Sequence, residues 1–419
     1  MDYLRTIKYL SFSKLWSAQI LSLVASYLLN FSLIVLVYGL TQNTHFGTLS
    51  VSLVVLSFTV PAIFTSSVAG AFVDYWNRKT TLVVTNLLRT ILVLLYIPAS
   101  GNLWLILILT FIISTITQFF IPAEAATIPK LVPKRYLIAA NSLFVLSIYA
   151  TFILGYVAVG PTIIAFGSNG PYLITSVMFF ISTLLVISLP TQATEKKTEK
   201  RPAVRLLHQL KANWDVVRVV ESRRFAFVQI GLTQGLIYIM ITLAPAMSMV
   251  LFGLKLEQAT RELILPIGIG MVLGIIITGI LPKLVNRARI IQLCIFCAGL
   301  SLILLGVLAD LPRAHTTSTF NTLNIVPFVV ASISVVFGAA NAIIATLAQT
   351  MLQETTDDAN RGKVFGSLQT LINVGATIPI FTTGLLVSIL SVSKVLDILG
   401  GLLIIYTIYN FRRYRFALV

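Results

Sequence analysis

The chain has 419 residues, of which 57% are hydrophobic and only 11% are charged, whereas soluble globular domains carry about 25% charged residues. Together with a mean hydropathy of +0.94, this composition excludes a soluble globule and indicates a protein that crosses a membrane many times. The net charge is +16, so the position of the basic residues decides whether it reports a nucleic-acid partner or membrane topology.

Twelve apolar stretches are long enough to span a bilayer as helices, which takes about 20 residues each. They lack the alternation of apolar and polar residues that barrel strands show, and helices satisfy their own backbone in lipid. The predicted spans cover approximately residues 15–40, 48–73, 80–99, 103–128, 138–165, 171–190, 225–252, 263–282, 290–309, 325–350, 363–390 and 395–411. The expected fold class is therefore an all-α polytopic membrane protein with twelve transmembrane helices.

The basic residues lie almost entirely in the loops of one side. If the N-terminus is cytoplasmic, only four of the 30 Lys and Arg residues fall in outer loops, namely Lys255, Arg261, Arg313 and Lys394. This bias follows the positive-inside rule, so we expect no nucleic-acid partner. The first apolar run is too long for a signal-peptide core and is interpreted as a retained helix. We therefore expect a multi-pass protein of the plasma (inner) membrane with both termini in the cytoplasm.

A polar segment separates the spans into two sets of six. Its second part, residues 203–220, places apolar side chains at helical spacing and predicts an amphipathic helix on the cytoplasmic surface. Two equal sets of spans are typical of an internal repeat. The expected domains are an N-terminal six-helix bundle at 1–190, a cytoplasmic linker at 191–222 and a C-terminal six-helix bundle at 223–419.

A short charged turn joins the second and third predicted spans, and its marked residues are Gly70, Asp74, Arg78 and Lys79. Arg78 and Lys79 stand at the start of a helix, where the dipole disfavours cations, so another force must hold them there. Membrane topology would make the turn an ordinary loop, whereas a specific partner would make it a conformational latch. The same spacing recurs in the matching hairpin of the second half, at Gly279, Lys283 and Arg287.

Arg89 and Glu124 are the charged residues singled out inside predicted spans. Arg89 follows Lys79 by ten residues, or about 15 Å of helix, and an arginine at that depth is paired or faces water. Glu124 lies near the cytoplasmic end of the fourth span, where it either titrates and carries protons or pairs with a cation. Arg78 is predicted at a similar depth, so we expect an Arg78–Glu124 pair.

The fifth span carries Gly155, Gly160 and Pro161. Proline frees a carbonyl and kinks a helix, and the glycines allow close packing. This segment is either a packing kink or a hinge or seal between bundles.

No constellation for catalysis or metal binding stands out in the sequence. Cys294 and Cys297 lie inside the ninth span without further ligands nearby, and the three histidines fall in loops or the linker. No phosphate-binding loop of the G-x-x-x-x-G-K-S/T kind occurs. We expect no catalytic residues, no bound metal and no cofactor.

The pattern as a whole resembles a known family. Gly70-x-x-x-Asp74-x-x-x-Arg78-Lys79 is similar to the loop 2–3 signature of the major facilitator superfamily, and Gly155 to Pro161 resembles its fifth-helix antiporter motif. Pro129 to Pro133, Ala140 to Leu143 and the segment around Arg89 resemble the branch of macrolide-efflux and enterobactin-exporter proteins. The resemblance covers nearly the whole chain.

This resemblance implies a secondary transporter whose two bundles rock about a central cavity. Asp74 would cap the start of the eleventh span near Gly362, and Arg78 would pair with Glu124, which closes the cytoplasmic side. The family's cavity is lined by spans 1, 4, 7 and 10, and the polar residues chosen there as candidates are Tyr27, Asn30, Gln118, Gln234, Tyr238 and Asn341.

The expected activity is export of an amphipathic small molecule, drug-like or siderophore-like, by a monomer that uses protons as coupling ion. The alternative on the same fold is a lipid or lysolipid translocator. A membrane-embedded enzyme would need clustered catalytic residues in the spans, and a sensor would be expected to carry an added domain.

Overall fold

The computed structural model describes residues 2–44, 46–190, 220–252, 260–280, 286–310, 325–355 and 377–413. Every regular element in these ranges is a helix, as the apolar runs predict. The α-helices are α1 (Asp2–Ile7), α2 (Leu10–Thr41), α3 (Gly47–Tyr75), α4 (Arg78–Leu94), α5 (Tyr96–Ala99), α6 (Leu103–Leu131), α7 (Leu137–Val157), α8 (Val159–Phe166), α9 (Gly170–Ile187), α10 (Glu221–Phe252), α11 (Leu265–Ile280), α12 (Arg287–Asp310), α13 (Ile325–Glu354), α14 (Thr377–Ile389) and α15 (Val392–Arg413).

The described residues contain nine helices that are long and apolar enough to cross a membrane, or ten if the bent pair α7–α8 counts as one span. The third predicted span is divided into α4 and the short α5, with Leu95 between them. Twelve spans therefore stays a prediction, and the predicted linker helix falls outside the described residues.

Hydroxyl side chains inside the helices satisfy themselves locally. Ser32, Thr85 and Thr127 each donate to the backbone carbonyl four residues earlier. Such bonds let serine and threonine enter a lipid-embedded helix without an unpaired polar group. These three hydroxyls thus need no ligand to explain them.

The chain divides into two compact units. Unit 1 comprises Met1–Val37 and Leu53–His208, and unit 2 comprises Tyr38–Ser52 and Gln209–Val419. The expected bundle boundaries at 190 and 223 stay a prediction.

Unit 1 is built around an apolar cluster on α2, α4, α6, α7 and α9, with Phe12, Leu15, Leu82, Phe120 and Phe144 among its members. In unit 2, glycines bring α11 and α13 into backbone contact. A Cβ at Gly270 would lie 2.0 Å from the Val335 carbonyl oxygen, and one at Gly338 would lie 2.1 Å from that of Ile267. Small residues are what allow membrane helices to pack this closely.

Candidate functional site

The two cations at the start of α4 bind the ends of neighbouring helices. Arg78 donates through Nη1 to the Ala126 carbonyl oxygen at 2.8 Å, near the end of α6. Lys79 donates to the Leu189 carbonyl oxygen at 2.6 Å, just beyond the end of α9. A helix C-terminus carries partial negative charge and free carbonyls, which is the force that holds these cations. We call this end of unit 1 its basic end.

Arg89 is buried inside unit 1, with only 1% of its surface exposed. Its Nε donates to the Thr85 carbonyl oxygen at 3.4 Å, and Nη2 donates to Oδ1 of Asn86. Its Cζ lies 4.5 Å from the ring centroids of both Phe120 and Phe179, within the range of a cation–π interaction. The guanidinium is therefore fixed between α6 and α9.

A chain of hydrogen bonds ties this arginine to two further helices. The Asn86 amide donates to the Ser182 hydroxyl on α9 at 2.9 Å, and that hydroxyl donates to the Ala18 carbonyl oxygen on α2 at 2.9 Å. An asparagine suits this place because its side chain can accept from Arg89 and donate to Ser182 at once.

Glu124 is a buried acid on α6 that attracts Arg89 but makes no hydrogen bond or ion-pair contact with it. Glu124 is 8% exposed, and the two opposite charges interact electrostatically. Its Oε1 is buried without a hydrogen-bond partner among the described residues. The ion pair expected between Arg78 and Glu124 is not formed in this structure. Arg78 instead donates to the backbone carbonyl of Ala126, two residues after Glu124 on α6. Pairing in another conformation stays a prediction.

The remaining latch residues are only partly visible. Gly70 and Asp74 lie in the last turns of α3, but their surroundings fall outside the described part of the structure. Gly362 also lies outside the described residues. The expected contact of Asp74 with the start of the eleventh span therefore stays a prediction.

The fifth predicted span bends where its proline requires it. The axes of α7 and α8 meet at 40° around Ala158. Pro161 has no N–H to donate to Val157 and its ring crowds that carbonyl. Before the bend, α7 approaches α2 so closely that a Cβ on Gly155 would lie 2.5 Å from the Tyr27 Cβ. The expected kink is present, and a role as hinge or seal stays a prediction.

Tyr27 belongs to an aromatic group shared by α2 and α7. Its ring lies 5.3 Å from that of Phe152 and 5.8 Å from that of Tyr156, and Phe31 lies 5.3 Å from Tyr156. Asn30, one turn from Tyr27 on α2, is partly buried. We call the four residues Tyr27, Phe31, Phe152 and Tyr156 the aromatic group. Gln118 donates to the Ser114 carbonyl oxygen of its own helix at 3.4 Å.

The candidates on unit 2 differ in what they contact. Gln234 and Tyr238 are partly buried on α10. Asn341 on α13 is 2% exposed and donates to the Thr233 carbonyl oxygen at 3.2 Å. This amide joins two helices of one unit, so its part in a cavity stays a prediction.

Two acidic features of unit 2 were not singled out from the sequence. Glu354 pairs with Arg287. The Ser393 hydroxyl, one turn before Asp397 on α15, donates to the carboxylate of Asp310 at the end of α12. Asp397 packs against Gly306, whose Cβ would lie 2.3 Å from Oδ1. The available signal was that Asp397 falls inside the twelfth predicted span. Among the described residues, no three His, Cys, Asp or Glu side chains are grouped to hold a metal.

Known proteins resemble this chain along most of its length. It is 25% identical over 366 residues to the uncharacterized MFS-type transporter YfiS of Bacillus subtilis (strain 168), covering 86% of this chain and 83% of that protein. It is 25% identical over 313 residues to macrolide efflux protein A of Streptococcus pyogenes, covering 71% of this chain and 73% of that protein.

Solved structures share the fold at low sequence identity. The nucleoside transporter NupG gives a TM-score of 0.73 at 13% identity, covering 96% of this chain and 99% of that one. The POT family transporter PepTSo gives 0.71 at 10% identity, covering 97% and 98%. A family model described as Major Facilitator Superfamily matches residues 15–378. The chain therefore belongs to the major facilitator superfamily of membrane transporters.

Proposed function

We propose that this transporter exports an amphipathic small molecule from the cytoplasm by alternating access. The observation that carries the proposal is the aromatic group on α2 and α7. Aromatic faces bind apolar rings and organic cations, and the nearby Asn30 amide adds one neutral hydrogen-bonding group. A site of this composition suits a drug-like or siderophore-like molecule with a large apolar surface. The relationship to macrolide efflux protein A supports the same substrate class.

The direction of transport would be controlled at the basic end. In the proposed cycle, Arg78 leaves the Ala126 carbonyl and pairs with Glu124 while Asp74 caps the helix that begins near Gly362. These contacts close the cytoplasmic side, and breaking them reopens it. A coupling free energy of about 1–3 kcal/mol is enough to shift such an equilibrium. The orientation follows the positive-inside bias, with both termini in the cytoplasm of the plasma (inner) membrane.

Energy would come from the proton gradient. The described residues place a buried carboxylate, Glu124, in the unit that carries the latch, and a carboxylate can alternate between proton and cation as partner. In everted vesicles loaded with a pH dye, addition of a verified substrate should then move protons. A substrate flux without any dye response would exclude proton coupling.

Substrate class is tested by ligand stabilisation of the purified full chain in detergent. Four probes separate the candidate classes: a macrolide, a lipophilic cation such as tetraphenylphosphonium, a catecholate siderophore and a lysophosphatidylcholine. We expect a rise in melting temperature with one of the first three, and transport of the same compound into everted vesicles. Stabilisation by the lysolipid alone would overturn the proposal in favour of a lipid translocator.

The aromatic group provides the variant for this test. Phe152→Ala removes one ring face and should weaken binding of the active probe several-fold. Phe111→Ala is a matched control, because Phe111 is 44% exposed on α6 and is not part of the aromatic group. Equal binding by wild type and Phe152→Ala would exclude the aromatic group as the substrate site.

A further inference from the structure

Glu124 lies on α6 between the contact points of two arginines of α4. The guanidinium of Arg89 lies over Phe120, one turn before Glu124, and Arg78 binds the Ala126 carbonyl, two residues after it. At helical rise these points are only about 6 Å and 3 Å from Glu124 along the axis. Glu124 therefore lies between the two arginines along α6, and neither of them makes an ion-pair contact with it in this structure.

The two arginines are held very differently. Arg89 is fixed by bonds to Thr85 and Asn86 and by two aromatic rings. Arg78 is part-buried and makes one bond, to a backbone carbonyl. Glu124 keeps Oε1 without a hydrogen-bond donor among the described residues. A tightly held cation, a cation with one backbone bond and a carboxylate with one unpaired oxygen make up a three-part arrangement.

We propose that Arg89 and Arg78 compete for Glu124: the buried Arg89 charge attracts the carboxylate and opposes its pairing with Arg78, and Arg78 takes the carboxylate when the cytoplasmic side closes. This inference rests on the latch proposed above. Arg89 is then a positioning residue that acts through Glu124 and sets how readily the latch forms. It does not contact substrate.

Competition differs from a purely structural ion pair in one measurable way. If Arg89 and Glu124 only stabilise each other, removing either one eliminates the same interaction and moves the conformational equilibrium in the same direction. If the two arginines compete, removing Arg89 frees Glu124 for Arg78 and favours closure. Removing Glu124 abolishes the latch and favours opening. The two substitutions then act in opposite directions.

The experiment measures the distance between one spin label in each unit, without substrate. Spin labels are placed at Ser188, beyond the end of α9, and at Tyr409 near the end of α15, which are both exposed. Cys294 and Cys297 are replaced by alanine so that only the labels react. Pulsed EPR of the full chain in lipid nanodiscs gives the ratio of short to long distances, which reports closed against open protein.

Glu124→Gln and Arg78→Gln should lower the closed-to-open ratio by a factor of about five or more, the scale of a typical coupling. Arg89→Gln should raise it by a similar factor, and Arg89→Gln/Glu124→Gln should match Glu124→Gln. Arg135→Gln is the matched control, because that guanidinium lies over the Tyr136 ring at 4.7 Å; it should leave the ratio unchanged.

A second variant, Asn86→Asp, provides the same test if Arg89→Gln does not fold. Asn86→Asp gives Arg89 a competing carboxylate one turn away and should also raise the closed-to-open ratio. If Arg89→Gln or Asn86→Asp lowers the ratio or leaves it unchanged, competition is overturned. If Arg78→Gln also has no effect, the latch fails with it. Export is judged separately by the flux measurements, so its failure is distinguishable from either result.

Discussion

The start of α4 in unit 1 and the start of α12 in unit 2 share an asparagine cap followed by an arginine, but the two arginines bind different partners. In each, an asparagine caps the helix and an arginine follows it: Asn77 accepts from Thr80 N–H at 3.3 Å, and Asn286 accepts from Arg289 N–H at 3.2 Å. Arg78 then binds a backbone carbonyl, whereas Arg287 pairs with the Glu354 carboxylate. The second half thus contains an arginine–glutamate pair of the kind that was expected between Arg78 and Glu124 in the first half.

The difference comes from where the acid lies. Glu354 is the last residue of α13, with 58% of its side chain exposed. Glu124 lies seven residues before the end of α6, which is about 10 Å deeper along the helix. Its cation, Arg89, follows Arg78 by eleven residues, and the position equally far beyond Arg287 is Ala298. Unit 1 therefore carries two buried opposite charges, whereas unit 2 has an apolar residue at the position that matches Arg89 and a more exposed ion pair.

The sharpest way to break this comparison is to remove one cation from each unit. Arg89→Met leaves the Glu124 carboxylate buried without its partner, and breaking a buried pair costs about 3–5 kcal/mol. Arg287→Met removes an exposed interaction and should cost under about 1 kcal/mol. The free energy of unfolding, measured by denaturant titration in detergent, checks both values.

The double variant Arg89→Met/Glu124→Gln provides the control for that measurement. It removes both buried charges and should recover much of the stability lost in Arg89→Met. If Arg89→Met costs no more than Arg287→Met, the two units do not differ in the way described.

Sequence reasoning reached the charged residues of unit 1 but not their contacts: Arg78 donates to the Ala126 carbonyl oxygen, and its pairing with Glu124 stays a prediction. Counting residues along apolar runs gives depth, and this placed Arg89 inside the membrane and Glu124 near an end. Depth does not give rotation about the helix axis, so Arg78 and Arg89 could not be ranked as partners of Glu124. The carbonyl partners of Arg78 and Lys79 were also out of reach, because they depend on which helices end beside α4.

The fold was more predictable than its details. Long apolar runs indicate helices because lipid leaves the backbone no other partner. The echo of Gly70, Asp74 and Arg78 in the second hairpin pointed to Arg287 as the counterpart of Arg78, and each of these arginines begins a helix. The glycines of α11 bring it into close contact with α13. Asp397 was overlooked because a single acid barely lowers the mean hydropathy of its span.

Glycine substitutions sharpen the comparison of packing between the units. Gly270→Ala in unit 2 would push a methyl group against the Val335 backbone at 2.0 Å, and Gly155→Ala in unit 1 would meet the Tyr27 Cβ at 2.5 Å. Overpacking of this kind costs about 1–3 kcal/mol, with Gly270→Ala at the upper end because a backbone atom cannot rotate away. Gly231→Ala has nothing within 4 Å and should be neutral. Melting temperatures of the three purified variants check this order, which an equal loss in all three would contradict.

The smallest expected effect is the coupling between Arg287 and Glu354. Their side chains are 30% and 58% exposed, so water and salt screen the interaction. A double-mutant cycle of Arg287→Met and Glu354→Gln should give a coupling free energy of about 0.2–1 kcal/mol, decreasing further in 1 M salt. The same cycle for Arg89 and Glu124 should give a larger value that resists salt, because burial excludes the screening ions. A salt-resistant coupling above about 2 kcal/mol between Arg287 and Glu354 would mean that this interaction is also desolvated. Arg287 and Arg89 would then differ only in their positions along their helices, and not in how strongly water and salt screen them.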